Sequence, residues 1–423
     1  MNFTKKQIAW ALGFITLIIL MGWAIYAVFL RPLLPVEPIL PEEVPIVGEG
    51  LPGAGVGGPK PLLGIPGETP GLALAPDLPE PAAKQDQESY VSDVAVGGPT
   101  RTKALTDKPS YSVTLSGDKR SLNFYDRESA QFYRVNDQGQ SIKLSDKQFY
   151  EVQEANWAPN KNETIMEFPD GNKLYYNFQT DKQVTLPSHW DDFSFAPSSG
   201  EMAFKSITDS VEDNWMAISS PDGSSPEAIQ PLGANGNQVT LSWSPNNQVI
   251  GMFTKPISNN KQEVYFLGRN DENFKLAVVE GRDFRPNWFP DGSKMLYSVY
   301  NSNDNFNPSL WVVDAVGDTI GENRVPLEVN TWADRCTFNR DGSSLYCSRP
   351  KDIPAGAGLF PDLLTRRNVP SELIKVNTVS GGITILGEPE TSMDIAQVFV
   401  NDAEDKLFFQ NSQDLTIQSM RIK

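Results

Sequence analysis

One histidine and two cysteines limit the chemistry open to this chain of 423 residues. Zinc sites built from several Cys and His ligands are excluded by count. A Ser-His-Asp triad would have to use His189. That residue lies in Pro187-Ser188-His189-Trp190, between two strand-like runs, and reads as an exposed loop position. No G-x-S-x-G turn of the serine hydrolases occurs. Asp170, Asp222, Asp291 and Asp341 each precede a glycine. Asp-Gly between two strands is the preferred hairpin turn, so these carboxylates are read as turn residues and not as a catalytic set. Asn301-Ser302-Asn303-Asp304-Asn305-Phe306-Asn307 is rich in oxygen ligands. It lacks the glycine at the sixth position and the closing acid of a calcium loop, and is read as a polar loop. Catalytic residues, metals and cofactors are therefore not expected.

Cys336 and Cys347 flank a hairpin around Asp341-Gly342. In simple register 336 opposes 347 as 338 opposes 345, which places the two Cβ atoms about 4.5–5.5 Å apart, within adjustment of disulfide geometry. A disulfide stapling that hairpin is expected, with two buried free thiols as the alternative. Glu154, Asp192, Thr240, Arg285 and Arg335 each stand three positions before a recurring aromatic residue. A common register would gather them at one end of the fold, as a mixed-charge rim or as a binding site. Leu359 and Phe360, followed by Arg366 and Arg367, fall in the longest connection of the chain, 349–371. That segment combines apolar and cationic groups, with room for a short helix after Phe360.

These residues need strands to hold them. From about residue 100 one pattern recurs: a hydrophobic or aromatic residue, a polar turn, then an aromatic-rich strand. Copies occupy 115–125, 157–168, 195–204, 243–253, 288–299, 338–348 and 399–409. Their turn positions are spaced by 42, 38, 48, 45, 50 and 61 residues. Four-stranded propeller blades recur every ~40–50 residues. Seven blades follow; six or eight fit the spacing less well. Trp157, Trp243 and Trp288 share one repeat position and are expected to pack between blades. The last unit runs out one strand short after Leu415-Thr416-Ile417-Gln418-Ser419-Met420. Thr102-Lys103-Ala104-Leu105-Thr106 is expected to supply the missing strand and remove an open edge. Connections between the second and third strands are expected to be long at 206–213, 255–262, 300–308 and 349–371, all on one face.

Trp243-Ser244-Pro245-Asn246-Asn247 and Arg285-Pro286-Asn287-Trp288-Phe289-Pro290-Asp291-Gly292 resemble the P-x-W-S-P-D-G repeat of TolB-like, WD-type bacterial β-propellers. The resemblance covers about three quarters of the chain and implies an all-β propeller fold. It implies no activity, because that fold hosts many unrelated ones. TolB-like propellers also accompany prolyl-oligopeptidase-type hydrolase domains, whose motifs are missing here.

The N-terminus has a different character. Residues 8–30 carry no charge, and 23 residues span about 34 Å as a helix, enough for a hydrocarbon core of about 30 Å. Lys5 and Lys6 precede this run, so the positive-inside rule leaves the N-terminus cytoplasmic and the rest extracytoplasmic. Residues 32–81 hold 13 prolines and 9 glycines, too many breakers to bury a core. The expected organisation is a cytoplasmic stub and membrane anchor over 1–30, a disordered Pro/Gly-rich linker over 31–99 and a propeller over 100–423. Lys plus Arg total 36 against 53 Asp plus Glu, a net charge of −17. Such a chain repels nucleic-acid backbones. The lipid bilayer is met through residues 8–30. The remaining partner classes are an envelope protein, bound by a non-enzymatic scaffold, or a cell-wall glycan. A channel-mouth enzyme fits less well, since no cluster of acid, His or Tyr breaks the repeat.

Overall fold

The computed structural model describes residues 91–270 and 272–423; the apolar run at 8–30 and the stretch at 32–81 lie outside the described residues. Two short strands come first, β1 (Pro99–Thr100) and β2 (Thr102–Ala104). Blade one is β3 (Tyr111–Leu115), β4 (Leu122–Asp126), β5 (Gln131–Val135) and β6 (Ser141–Lys143). Blade two is β7 (Glu154–Trp157), β8 (Glu163–Glu167), β9 (Lys173–Asn177) and β10 (Gln183–Leu186). Blade three is β11 (Trp190–Phe195), β12 (Met202–Ser206), β13 (Trp215–Ser219) and β14 (Glu227–Pro231). Blade four is β15 (Val239–Leu241), β16 (Gly251–Ser258), β17 (Lys261–Leu267) and β18 (Ala277–Val279). Blade five is β19 (Arg282–Trp288), β20 (Lys294–Tyr300), β21 (Pro308–Asp314) and β22 (Val325–Pro326). Blade six is β23 (Cys336–Phe338), β24 (Ser344–Pro350), β25 (Ser371–Asn377) and β26 (Ile383–Pro389). Blade seven has β27 (Ile395–Val400), β28 (Lys406–Asn411) and β29 (Ile417–Arg421). Each group is an antiparallel meander, and the result is the all-β, seven-bladed propeller expected from the repeat.

The missing strand of blade seven is β2, in the register Thr102↔Met420, Lys103↔Ser419 and Ala104↔Gln418. The chain ahead of it is also built into the fold, which moves the expected linker boundary at residue 99. Strand β1 runs parallel to β26, pairing Pro99 with Glu388 and Thr100 with Pro389, so blade six has five strands. The amide of Ala95 donates to Arg421 O at 2.9 Å and that of Gly97 to Leu386 O at 2.7 Å. Thr100, at the end of this strap, is fully buried. The physical cause is an exposed edge on β26 and β29, whose free backbone groups the strap satisfies.

Aromatic packing ties neighbouring blades together. Trp157 of blade two stacks on Phe178 at 5.4 Å and meets Phe132 of blade one edge-on at 5.5 Å. Its indole N–H donates to Ser112 O at 2.8 Å, and that of Trp288 donates to Ser242 Oγ of blade four at 2.8 Å. These tryptophans are inter-blade core residues, as their repeat position implied. Bulges on the first strands assist: Ser112, Asp192 and Asp283 have φ of 48°, 53° and 58°, each where the ladder to the second strand shifts register. A bulge turns one side chain toward the next blade. Ser112 Oγ accepts the amide of Ala155 at 3.0 Å, and Asp192 Oδ2 accepts that of Leu241 at 3.0 Å.

Cys336 and Cys347 are register partners on β23 and β24 and form the expected disulfide, with Cα atoms 4.1 Å apart. One expected loop is absent. Residues 255–258 and 261–262 continue β16 and β17, with Lys255↔Glu263 and Pro256↔Gln262 paired, so only a two-residue turn separates the strands.

Candidate interaction face

Of the five residues expected at one rim, each lies on or directly before a first strand, and three (Asp192, Arg285 and Arg335) serve contacts between blades. Glu154 is exposed and stands opposite Glu167. Burial pushes the Glu167 carboxyl above its usual range; Lys173 opposes this, while Asp191, Glu154 and Asp192 add to it. Asp192 is held by Leu241 N–H and by Lys205 Nζ at 3.0 Å. Arg285 Nε donates to Asp283 at 2.9 Å, and its Nη1 reaches Asp334 of the next blade at 3.0 Å. Thr240 is exposed and pairs with Met252 in the ladder of blade four.

Arg335 corrects the expectation most clearly. It is only 8% exposed, and its guanidinium is spent on blade seven. Nη1 donates to Asp394 Oδ1 at 2.6 Å and to Ile395 O at 2.9 Å, while Nη2 donates to Asp394 Oδ2 at 3.3 Å. Asp394 is itself fully buried. Arg335 is a clamp between blades six and seven and is not available to a partner.

Beside this clamp sits the long insertion of blade six. Its buried half packs Ala357, Leu364 and Val369 against the ring of Trp332. The Arg285 and Arg335 guanidinium carbons lie 5.9 and 5.2 Å from the centre of that ring. The insertion is fastened to three blades. Gly356 and Gly358 amides donate to Asn305 O and Phe306 O of blade five, each at 2.8 Å. A Cβ on Gly358 would come within 2.5 Å of Tyr300, so this approach requires glycine. Thr365 Oγ1 donates to Asp394 Oδ2 at 3.2 Å, and Gln413 of blade seven donates to Thr365 O.

The expected short helix forms as α1 (Leu363–Arg367). It ends at Asn368, which takes the left-handed conformation at φ 46° and returns its N–H to Leu364 O. The outer half of the insertion faces solvent. Leu359 is 44% and Phe360 58% exposed. Arg366, itself exposed, pairs with Asp362 one turn before it, and Arg367 is exposed. A rigidly fastened loop thus presents two apolar side chains and two cations. Trp332 and Asp394, which position it, were not singled out from the sequence. The one available signal was a tryptophan lying outside the repeat position.

The other candidates settle as turns and loops. His189 is exposed in the turn before β11. Asp170, Asp222, Asp291 and Asp341 each accept the amide two residues on, at 2.9–3.0 Å, ahead of glycines with φ of 71–81°. Asn301 caps a short turn by accepting the amides of Asn303 and Asp304. Among the described residues no group of three or more His, Cys, Asp or Glu side chains is arranged to hold a metal ion.

No protein-family model matches the chain, and no curated protein does. Solved structures match by fold. The Swd1 β-propeller domain of Myceliophteria thermophila aligns over 76% of this chain and 100% of that one, with a TM-score of 0.52 and 8% identity. An oligogalacturonate lyase in complex with manganese aligns over 79% and 96%, with a TM-score of 0.50 and 11% identity. Hydrazine synthase of Kuenenia stuttgartiensis aligns over 75% and 96%, with a TM-score of 0.50 and 12% identity. At these identities the likeness is to the propeller fold alone, which carries enzymes and other proteins alike.

Proposed function

We propose that this protein is a membrane-anchored, TolB-like propeller that acts without catalysis as a protein-binding scaffold in the cell envelope. Residues 8–30 anchor it, the Pro/Gly-rich stretch carries the propeller away from the membrane, and the blade-six insertion receives the partner. The observation that carries the reading is the exposure of Leu359 and Phe360 beside Arg366 and Arg367, on a loop held by three blades. Aromatic and arginine side chains are the usual anchors of protein interfaces, and a rigid support preorganises Phe360, Arg366 and Arg367 for that role. Such a loop loses little entropy when a partner docks. The partner would offer an apolar pocket with acidic groups at its margin.

The test is in-cell crosslinking with mass spectrometry on the full chain. Deleting the insertion would expose Trp332, so point variants are better. Leu359→Ser with Phe360→Ser, and separately Arg366→Glu with Arg367→Glu, leave Ala357, Leu364 and Val369 in place. The expected outcome is a partner captured by the wild type and lost from both variants at equal expression. Retention of the same partners by both variants would refute the assignment to this face. Protease protection in intact cells checks the location, with 91–423 expected to be cut only from outside.

A further inference from the structure

We infer that the groove at the closing seam of blade seven is an oxyanion site for a phosphate-bearing ligand. Lys406 and Arg421 stand at the ends of β28 and β29 away from the turn whose Gln413 meets the insertion, and the inference is independent of the scaffold reading. Lys406 and Arg421 are directly opposed across β28 and β29. Arg101 stands one residue before the Thr102↔Met420 pair, so the antiparallel register carries the row of cations onto the next strand. Lys103, opposite Ser419, forms the next row on the same face. All four cations line one groove of about 490 Å³, together with Thr102, Ser419, Gln138, Asp93 and Asp137. That volume is ample for a small ligand.

Like charges directly opposite on neighbouring strands are destabilising. A chain with a net charge of −17 has acids in plenty, yet it collects cations here. Two of them are answered: Lys406 pairs with Asp137 and Arg101 with Asp93. Lys103 Nζ reaches only the amide oxygen of Gln138, at 3.2 Å. Arg421 has no carboxylate within ion-pairing distance among the described residues. Among the side chains that line the groove, four cations face two carboxylates, a surplus of two positive charges; Glu390 stands outside the lining, its Oε1 3.4 Å from the Thr102 amide. A phosphate monoester or an oligophosphate supplies two or more negative charges in one group, whereas a single carboxylate supplies one. Guanidinium donors match phosphate oxygens in pairs, and the hydroxyls of Thr102 and Ser419 line the same groove.

The experiment titrates the purified full chain with inorganic tripolyphosphate at low salt, by calorimetry and by thermal unfolding. Binding that weakens with salt and raises the unfolding midpoint is expected. Lys103→Gln combined with Arg421→Gln should weaken it about a hundredfold, since each of the two charged hydrogen bonds is worth about tenfold or more. Lys261→Gln, which alters a blade-four lysine paired with Glu280, should bind as the wild type does. Because the double variant relieves repulsion, its ligand-free midpoint should match or exceed the wild type, which checks its fold. A parallel titration with dihexanoyl phosphatidylglycerol identifies the source: competition with tripolyphosphate assigns a lipid headgroup, and its absence assigns a soluble phosphate. The inference is overturned when neither probe binds, or when the double variant binds both as well as the wild type.

Discussion

A carboxylate in this propeller is defined by what stands opposite it. The four Asp-Gly residues were legible because their partners lie two residues away along the chain. The role of Arg335 was not, because Asp394 is 59 residues distant and belongs to the next blade. Removing one member of such a buried pair leaves an uncompensated charge, so Asp394→Ala should cost about 3–5 kcal/mol. Denaturant unfolding checks this, and a loss below about 1 kcal/mol, the scale of a surface pair, would contradict it. Lys161 offers a second case. Its ammonium donates to Thr114 Oγ1 at 2.9 Å, and burial pulls its pKa from 10.5 down to about 8. The folded state thus disfavours the charged form. Between about 8 and 10.5 the unfolded chain binds more protons, so stability should rise with pH across that window. Below about 8 the burial penalty is fully present. Lys161→Met should therefore be more stable than wild type at neutral pH and lose that slope; equal slopes in both chains would exclude Lys161 as its source.

Among the elements, blade six departs furthest from the repeat, with a fifth strand, a disulfide and the insertion. The cysteine pair was legible from hairpin register alone. Their bond closes a loop with a sequence separation of 11, and constraining the unfolded chain over such a loop contributes roughly 2–3 kcal/mol. Cys336→Ala with Cys347→Ala should lower stability by about that amount, measured without reductant; an unchanged midpoint would show that the bond is dispensable. The hairpin of blade four was misread as a loop for a physical reason. Its outer end projects beyond the core, so Lys255, Pro256, Ile257 and Ser258 are exposed and show no alternation of polar and apolar faces. Pro256 also reads as a breaker, although its lack of an N–H is tolerated where the strand leaves the sheet.

The whole ring was readable because seven copies of one motif outweigh any single ambiguous strand. What the motif could not convey was the strap, since the segment at 91–100 lacks strand periodicity and is ordered only by the edges it meets. Removing residues 1–104 would strip β1 from β26 and β2 from β29, and the exposed edges should drive association. Light scattering after size exclusion is expected to show oligomers or aggregates; a monomer unfolding at the wild-type midpoint would mean that the ring closes without its seam. The strap also sets a mechanical load path. Any tension transmitted through the residues ahead of Val91 arrives first at the bonds of Ser92 to Pro99 and Arg101 within the strap, then at those of Ala95 to blade seven and Gly97 to blade six. Those contacts would peel one after another before force reaches the three pairs that lock β2 to β29. The propeller therefore has a sacrificial fastening in series with its closure, so that a moderate pull lengthens the chain by a few residues while the ring stays shut.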